Sequence, residues 1–207
     1  ELLENGRNWD KVFAAFRREP LARFSRTRNR LYEKWRDRTA KESLSKAIEM
    51  NPANPQARLA LAKFLVQTGD SKGALKKIDE AIKIAPTDLD ARLAKVDLLA
   101  SMKDLKGVQA ALGEVKKAHP DKPIGYYQLG QFYASQKKYD DAVREFEEAL
   151  KRSTDSFQPL TAIVSAYLAQ GKPEKAIRRI NDVLAKSPEH IFAHELLAEV
   201  YISRKQY

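Results

Sequence analysis

The chain of 207 residues has no cysteine. Disulfides, thiolate zinc sites and cysteine nucleophiles are therefore excluded. Its eight glycines are scattered, with neither G-x-G-x-x-G nor G-x-x-x-x-G-K-[ST], so no phosphate-cradling loop is expected. Histidine is scarce: His119, His190 and His194. His190 and His194 are four apart in PEHIFAHELLAEV, beside Glu189 and Glu195. The zinc-protease pattern of two histidines flanking a glutamate is absent, and His190 falls in a linker. All three read as ordinary surface or linker residues, and no metal site is expected. No apolar run approaches the ~20 residues needed to cross a membrane. The opening ELLENGRNWDK lacks a basic n-region and an apolar h-region, so no signal peptide is expected there. Asp140-Asp141 and Glu147-Glu148 are paired carboxylates on predicted outer faces with lysines nearby. Catalytic carboxylates need unequal environments to separate their pKa values. Nothing here predicts such a pocket, and no serine has a His–Asp pattern around it. Neither enzyme activity nor a cofactor is expected.

With 43% hydrophobic and 32% charged residues, the chain can bury a core and cover it with polar surface. The net charge of +10 is unevenly spread. Between Arg17 and Lys41 there are 10 basic and 3 acidic residues, against 26 and 22 from Glu42 to the end. The excess is local. Within it, ARFSRTRNRLYEKWRDR (Ala22 to Arg38) interleaves seven basic residues with Phe24, Tyr32 and Trp35.

A step of 34 residues organises the rest. Asn51-Pro52, Ala85-Pro86, His119-Pro120 and Ser187-Pro188 mark four rungs of one ladder, and Thr154 stands on the remaining rung. Ala40, Ala74, Val108, Ala142 and Ala176 are in phase, as are Ala47, Ala81, Val115, Ala149 and Val183. Leu44, Ile78, Leu112, Phe146 and Ile180 form a further column, and so do Leu31, Leu65, Leu99, Tyr133, Tyr167 and Tyr201. Within a period, apolar residues recur three and four apart, which predicts helix. In the fourth period Tyr126, Leu129, Gly130 and Tyr133 form one stripe, Gln136 to Lys138 a break, and Ala142, Phe146 and Ala149 a second stripe. Pro55 and Pro123 sit where helices would begin, and Gly69 and Gly171 where paired helices would turn. Each period is thus predicted to be a helix–turn–helix.

These columns resemble the tetratricopeptide repeat family, from about Leu21 to Tyr207, and the unit Pro123 to Ser156 matches best. The resemblance implies an all-α, right-handed solenoid of antiparallel helix pairs with a 34-residue period. Expected units are a helix of a preceding or degenerate repeat at 1–20, a divergent first repeat at 21–54, repeats at 55–88, 89–122, 123–156 and 157–190, and the first helix of a truncated repeat at 191–207. The sixth unit stops after one helix, leaving Leu197, Val200 and Tyr201 without a pair, so the chain is expected to be cut from a longer array. The unit 89–122 is expected to be the least stable. It puts Arg92 and Lys95 where apolar residues are usual and Gly107 and Gly113 inside a helix, where glycine costs about 1 kcal/mol relative to alanine. In the first unit, Arg28 stands in the close-packed slot held by Gly130. A guanidinium cannot be buried there without a partner.

By resemblance, first helices line a concave groove that takes a protein or peptide. Groove positions would include Lys63, Gln67, Asp90, Asp97, Tyr127, Gln128, Gln131, Gln158, Ser165 and Glu195. The carboxylate clamp of chaperone adaptors is not matched: Asn29 fits, but Ser25 replaces its lysine, and Ala60, Asp90 and Ala94 follow. The expectation is a non-enzymatic interaction scaffold, part of a larger bacterial assembly, with a looser resemblance to bacterial envelope and exopolysaccharide-export repeat proteins. The alternative is nucleic-acid or anionic-membrane binding through Arg17–Lys41, with Arg23, Arg26, Arg30 and Lys34 as its basic patch. No nucleic-acid motif supports that alternative, and neither partner is favoured. Compartment and oligomeric state are left open by the sequence.

Overall fold

The computed structural model describes residues 21–153 and 157–203, with side chains from Glu33 to Ser153 and from Phe157 to Ile202. Among the described residues there are ten helices and no strand. Helix α1 is Leu21–Met50, followed by α2 Pro55–Gln67 and α3 Ser71–Ile84. Then come α4 Leu89–Ser101, α5 Leu105–Ala118, α6 Pro123–Ser135 and α7 Tyr139–Arg152. Last are α8 Phe157–Ala169, α9 Pro173–Leu184 and α10 Ile191–Ser203. From α2 onward, first helices start at 55, 89, 123, 157 and 191, and second helices at 71, 105, 139 and 173. Both series advance by the period of the sequence.

Local chemistry fixes these ends. Pro55, Pro123 and Pro173 open their helices, where a missing N–H costs nothing. Asp70 and Asp104 cap α3 and α5, each accepting a hydrogen bond from a glycine N–H, at 2.8 Å from Gly73 and 2.9 Å from Gly107. Between paired helices one residue per period is left-handed: Gly69 (φ 86°), Lys103 (59°), Lys137 (57°) and Gly171 (68°). Two are lysines, which occupy that region only against a steric penalty.

Each helix packs on its neighbours in sequence, and α6 also touches α8. This is the quasi-linear contact pattern of a solenoid. The core consists of the sequence columns. Ala74, Ile78 and Ala81, then Val108, Leu112 and Val115, then Ala142, Phe146 and Ala149 are all buried, with Leu65 and Leu99 against them. Val200 is likewise buried by its neighbours, while Tyr201 and Ile202 are exposed.

One expectation changes. The span 21–54 is not a helix–turn–helix, because α1 runs unbroken for 30 residues. Its residue in phase with the left-handed turns is Trp35, for which positive φ is costly. The helix therefore continues, and Leu44 and Ile48 in its second half pack on the α2–α3 core. The third unit's two cations meet acids of other helices. Arg92 and Lys95 are largely covered but paired: Arg92 with Glu114 at 3.6 Å, and Lys95 with Asp79 at 3.0 Å. The helix expected within 1–20 lies outside the described residues, as do the side chains of Arg23, Arg26 and Arg30.

Candidate interaction surface

The expected groove residues fall on first helices: Lys63 and Gln67 on α2, Asp90 and Asp97 on α4, Tyr127, Gln128 and Gln131 on α6, Gln158 and Ser165 on α8, and Glu195 on α10. Tyr127 and Gln128 are half-buried, and the other eight are exposed. Two clefts bring some of them together. One, of about 360 Å³, opens between α2 and α4. Leu59, Ala62, Val66, Ala94 and Leu98 make its apolar lining, with Lys63, Asp97 and Ser101 as the polar part. The other, of about 250 Å³, is lined by Pro123, Ile124, Tyr127, Ser153, Gln158 and Pro159, from α6 and α8 with the residue closing α7. Gln67, Asp90, Gln128, Gln131, Ser165 and Glu195 line neither. Gln128 is unlike the rest, since its Oε1 is buried without a hydrogen-bond partner.

The exposed polar groups of this strip take little part in holding the fold. Among the described residues, Lys63, Asp97, Gln131 and Gln158 make neither a hydrogen bond nor an ion pair. Tyr127 stacks, tilted, on Phe146, with centroids 5.6 Å apart.

Elsewhere the charged side chains are used structurally. Arg179 forks onto both oxygens of Glu147 at 2.6 and 3.0 Å, joining α9 to α7. That pair holds the Arg179 guanidinium more strongly protonated than usual, first through its hydrogen bonds to Glu147. The phenol of Tyr167 is pushed up, first by burial and then by the Glu147 charge. Lys116 reaches both oxygens of Glu145 at 2.8 and 2.6 Å, joining α5 to α7. Glu148 is lowered to about 2, first by a hydrogen bond from Lys151 and then by one from Arg152.

A further set of bonds recurs at the linkers. Arg58 Nη1 donates to the carbonyl of Pro52 at 2.6 Å, and Arg92 Nε to that of Pro86 at 2.8 Å. Arg152 Nε donates to that of Pro120 at 2.7 Å while its guanidinium lies 4.0 Å from the Tyr126 ring centroid. His194 Nε2 lies 2.7 Å from the carbonyl of Pro188. Three of these donors stand six residues after their proline, a regularity open to view in the sequence. His190 is engaged too, its Nδ1 accepting from the Ala193 N–H at 3.2 Å as α10 begins. Both imidazoles thus serve backbone groups.

A family model described as Tetratricopeptide repeat matches residues 38–79 and 133–200, more than half the chain, and a second of the same description matches 93–157. The chain belongs to the tetratricopeptide repeat family. Solved structures agree on the fold. A crystal structure of MamA has a TM-score of 0.58 at 19% identity over 78% of this chain and 88% of that one. A tetratricopeptide repeat protein from Parabacteroides merdae has a TM-score of 0.58 at 17% identity over 86% and 71%. YrrB, described as a TPR protein with an unusual peptide-binding site, has a TM-score of 0.53 at 17% identity over 81% and 86%. No curated protein matches the sequence. Tetratricopeptide repeat proteins are in general non-catalytic scaffolds, and the repeats identify this chain as a protein-interaction scaffold in general.

The basic patch is only partly open to description. Lys34 is exposed on α1, and the side chains of Arg23, Arg26 and Arg30 lie outside the described residues.

Proposed function

We propose that the scaffold binds an extended protein or peptide segment along its first helices, as part of a larger bacterial assembly. One observation carries this reading. The two clefts between successive first helices have apolar linings, and at their edges stand Lys63, Asp97 and Gln158, side chains that the fold does not use. A segment lying across them would place an apolar side chain in the α2–α4 cleft, with Lys63 and Asp97 free to pair with its neighbours. Its next stretch would meet Tyr127 and Gln158, groups suited to hydrogen bonding and amphipathic contact without a strong charge preference.

Peptides selected from a random displayed library against the chain test this. Their affinity is expected to fall about tenfold or more with Tyr127→Ala or Val66→Asp. It should change little between 50 and 200 mM salt, and not at all with Lys34→Ala. Binding through α1 to phosphates would instead weaken steeply with salt. A steep salt dependence, or insensitivity to the groove substitutions, would overturn the reading.

A further inference from the structure

Helices α3 and α5 carry seven lysines and three acids, with no arginine and no aromatic residue in either. All three acids are already engaged. Asp79 pairs with Lys95 of α4 at 3.0 Å, and Glu114 lies 3.6 Å from Arg92 and 3.9 Å from Lys95. Glu80 takes Lys77 at 2.8 Å and Arg58 of α2 at 3.5 Å. First helices thus supply cations to the acids of second helices, and Lys116 is used in turn by Glu145 of α7. Lys72, Lys76, Lys83, Lys106 and Lys117 are left, all exposed. Among the described residues, their side chains make neither a hydrogen bond nor an ion pair. The excess ends with these two helices. In the next two units the positions in phase with Lys72 and Lys106 are Asp140 and Glu174. Those in phase with Lys83 and Lys117 are Lys151, already paired with Glu148, and Ala185.

The five lysines share one face. Lys72, Lys76 and Lys83 fall on one stripe of α3 at helical spacing, and Lys106 and Lys117 repeat the outer two on α5 a period later. Because Lys95 reaches an acid of each helix, the two rows are neighbours. Each row is about 16 Å long, from the ~1.5 Å rise per residue. Between the lysines the surface is low. On α3 a basin of about 420 Å³ is lined by Lys72, Leu75, Lys76, Asp79, Glu80 and Lys83. On α5 the intervening positions are Ala110 and Gly113, and a Cβ at Gly113 would meet nothing within 4 Å.

We propose that this face docks an acidic, extended segment of another protein, at a surface separate from the first-helix groove. Lys72 and Lys76 stand ~6 Å apart along the helix axis, close to the ~6.6 Å between alternate residues of an extended chain. Aspartates or glutamates at every second position would therefore meet successive lysines, and about five residues span a row. Nucleic acid fits less well. No aromatic side chain is present on either helix to stack a base, and no guanidinium to fork onto a phosphate. A bilayer would touch the rims of the basin and leave its floor empty, whereas a single chain can lie in it.

The test uses the 207-residue chain and a fluorescein-labelled peptide of about 12 residues that alternates glutamate and serine, read by anisotropy. Saturable binding below ~1 mM is expected at ~50 mM salt, weakening as salt rises to ~200 mM. Lys72→Glu with Lys83→Glu should weaken it at least tenfold, and so should Lys106→Glu with Lys117→Glu. Lys175→Glu with Lys186→Glu makes the same change in net charge in the fifth unit and should alter binding less than twofold. All six side chains are exposed, so helix content should not change. Tyr127→Ala should leave binding of this peptide intact, so failure of the groove and failure of this face read out separately. Absence of binding, or an equal loss in the Lys175 and Lys186 control, would overturn the proposal. So would tighter binding to a single strand of about 12 thymidylates, or to vesicles with about 30% phosphatidylserine.

Discussion

Gly130 lies flat against the ring of Phe146: a Cβ at position 130 would come within 2.5 Å of both Cδ1 and Cε1. The same pair of columns is filled differently in each unit, by Ala62 with Ile78, Val96 with Leu112, and Val164 with Ile180. Where the second helix brings a larger side chain, the first gives way to glycine. Close packing of the two helices therefore depends on the sum of the two volumes.

Gly130→Ala is accordingly expected to destabilise the array, although alanine is the better helix former by ~1 kcal/mol. Overpacking of this kind costs about 1–3 kcal/mol. Adding Phe146→Leu should recover most of the loss, because the pair then resembles Val96–Leu112 in combined bulk. Thermal unfolding of the single and double variants checks this; a single variant as stable as the parent would contradict it.

Lys103 and Lys137 hold left-handed backbone at φ 59° and 57°, where Gly69 and Gly171 meet the same demand without a Cβ. Lys103→Gly and Lys137→Gly should each stabilise, by up to about 1 kcal/mol, because the relieved backbone strain exceeds the added freedom of the unfolded chain. The reverse change, Gly69→Lys, should destabilise by a similar amount. Chemical denaturation resolves differences of this size.

Gly113 on α5 faces open space, with nothing within 4 Å of a Cβ placed there. Gly113→Ala should therefore stabilise by ~1 kcal/mol. Gly107 differs, since a Cβ there would lie 2.4 Å from the capping Asp104 Oδ2 and 3.1 Å from Leu99. Amide exchange over α5 should slow in Gly113→Ala and quicken in Gly107→Ala.

The carboxyl of Glu148 should titrate near 2, held down by the hydrogen bonds of Lys151 and Arg152. A depressed carboxylate contributes fully above its ordinary pKa of 4.5, and the contribution is lost as pH falls toward about 2. Its side chain is at the surface, so the effect is local. Carbon-detected NMR titration is expected to show a midpoint below 3, and Lys151→Ala should move it up.

Much of the fold was legible in the sequence. The period located the helices because each column must bury the same face in every unit, and Gly69 and Gly171 marked their turns. Lys103 and Lys137 were less visible as left-handed residues, since the fold tolerates a strained lysine where a neighbouring pair of helices holds it. The unbroken α1 was half-visible: Arg28 in a glycine slot signalled trouble, but the deciding residue is Trp35 at the turn. Arg92 and Lys95 looked like defects because their partners, Glu114 and Asp79, lie on other helices. Of the groove, sequence phase placed the right helices. It did not separate Lys63 and Asp97, which share a cleft, from Gln128, whose amide oxygen is buried. That distinction depends on side-chain packing, which phase does not carry.

Hydrogen exchange of the chain alone and saturated with a library-selected peptide tests the proposed groove most directly. Binding along the first helices should slow exchange in α2 and α4 around the Lys63–Asp97 cleft, and in α6 and α8 around Tyr127 and Gln158. Amides of α1 should be unchanged. Slowing confined to α1, or to the second helices, would contradict the account.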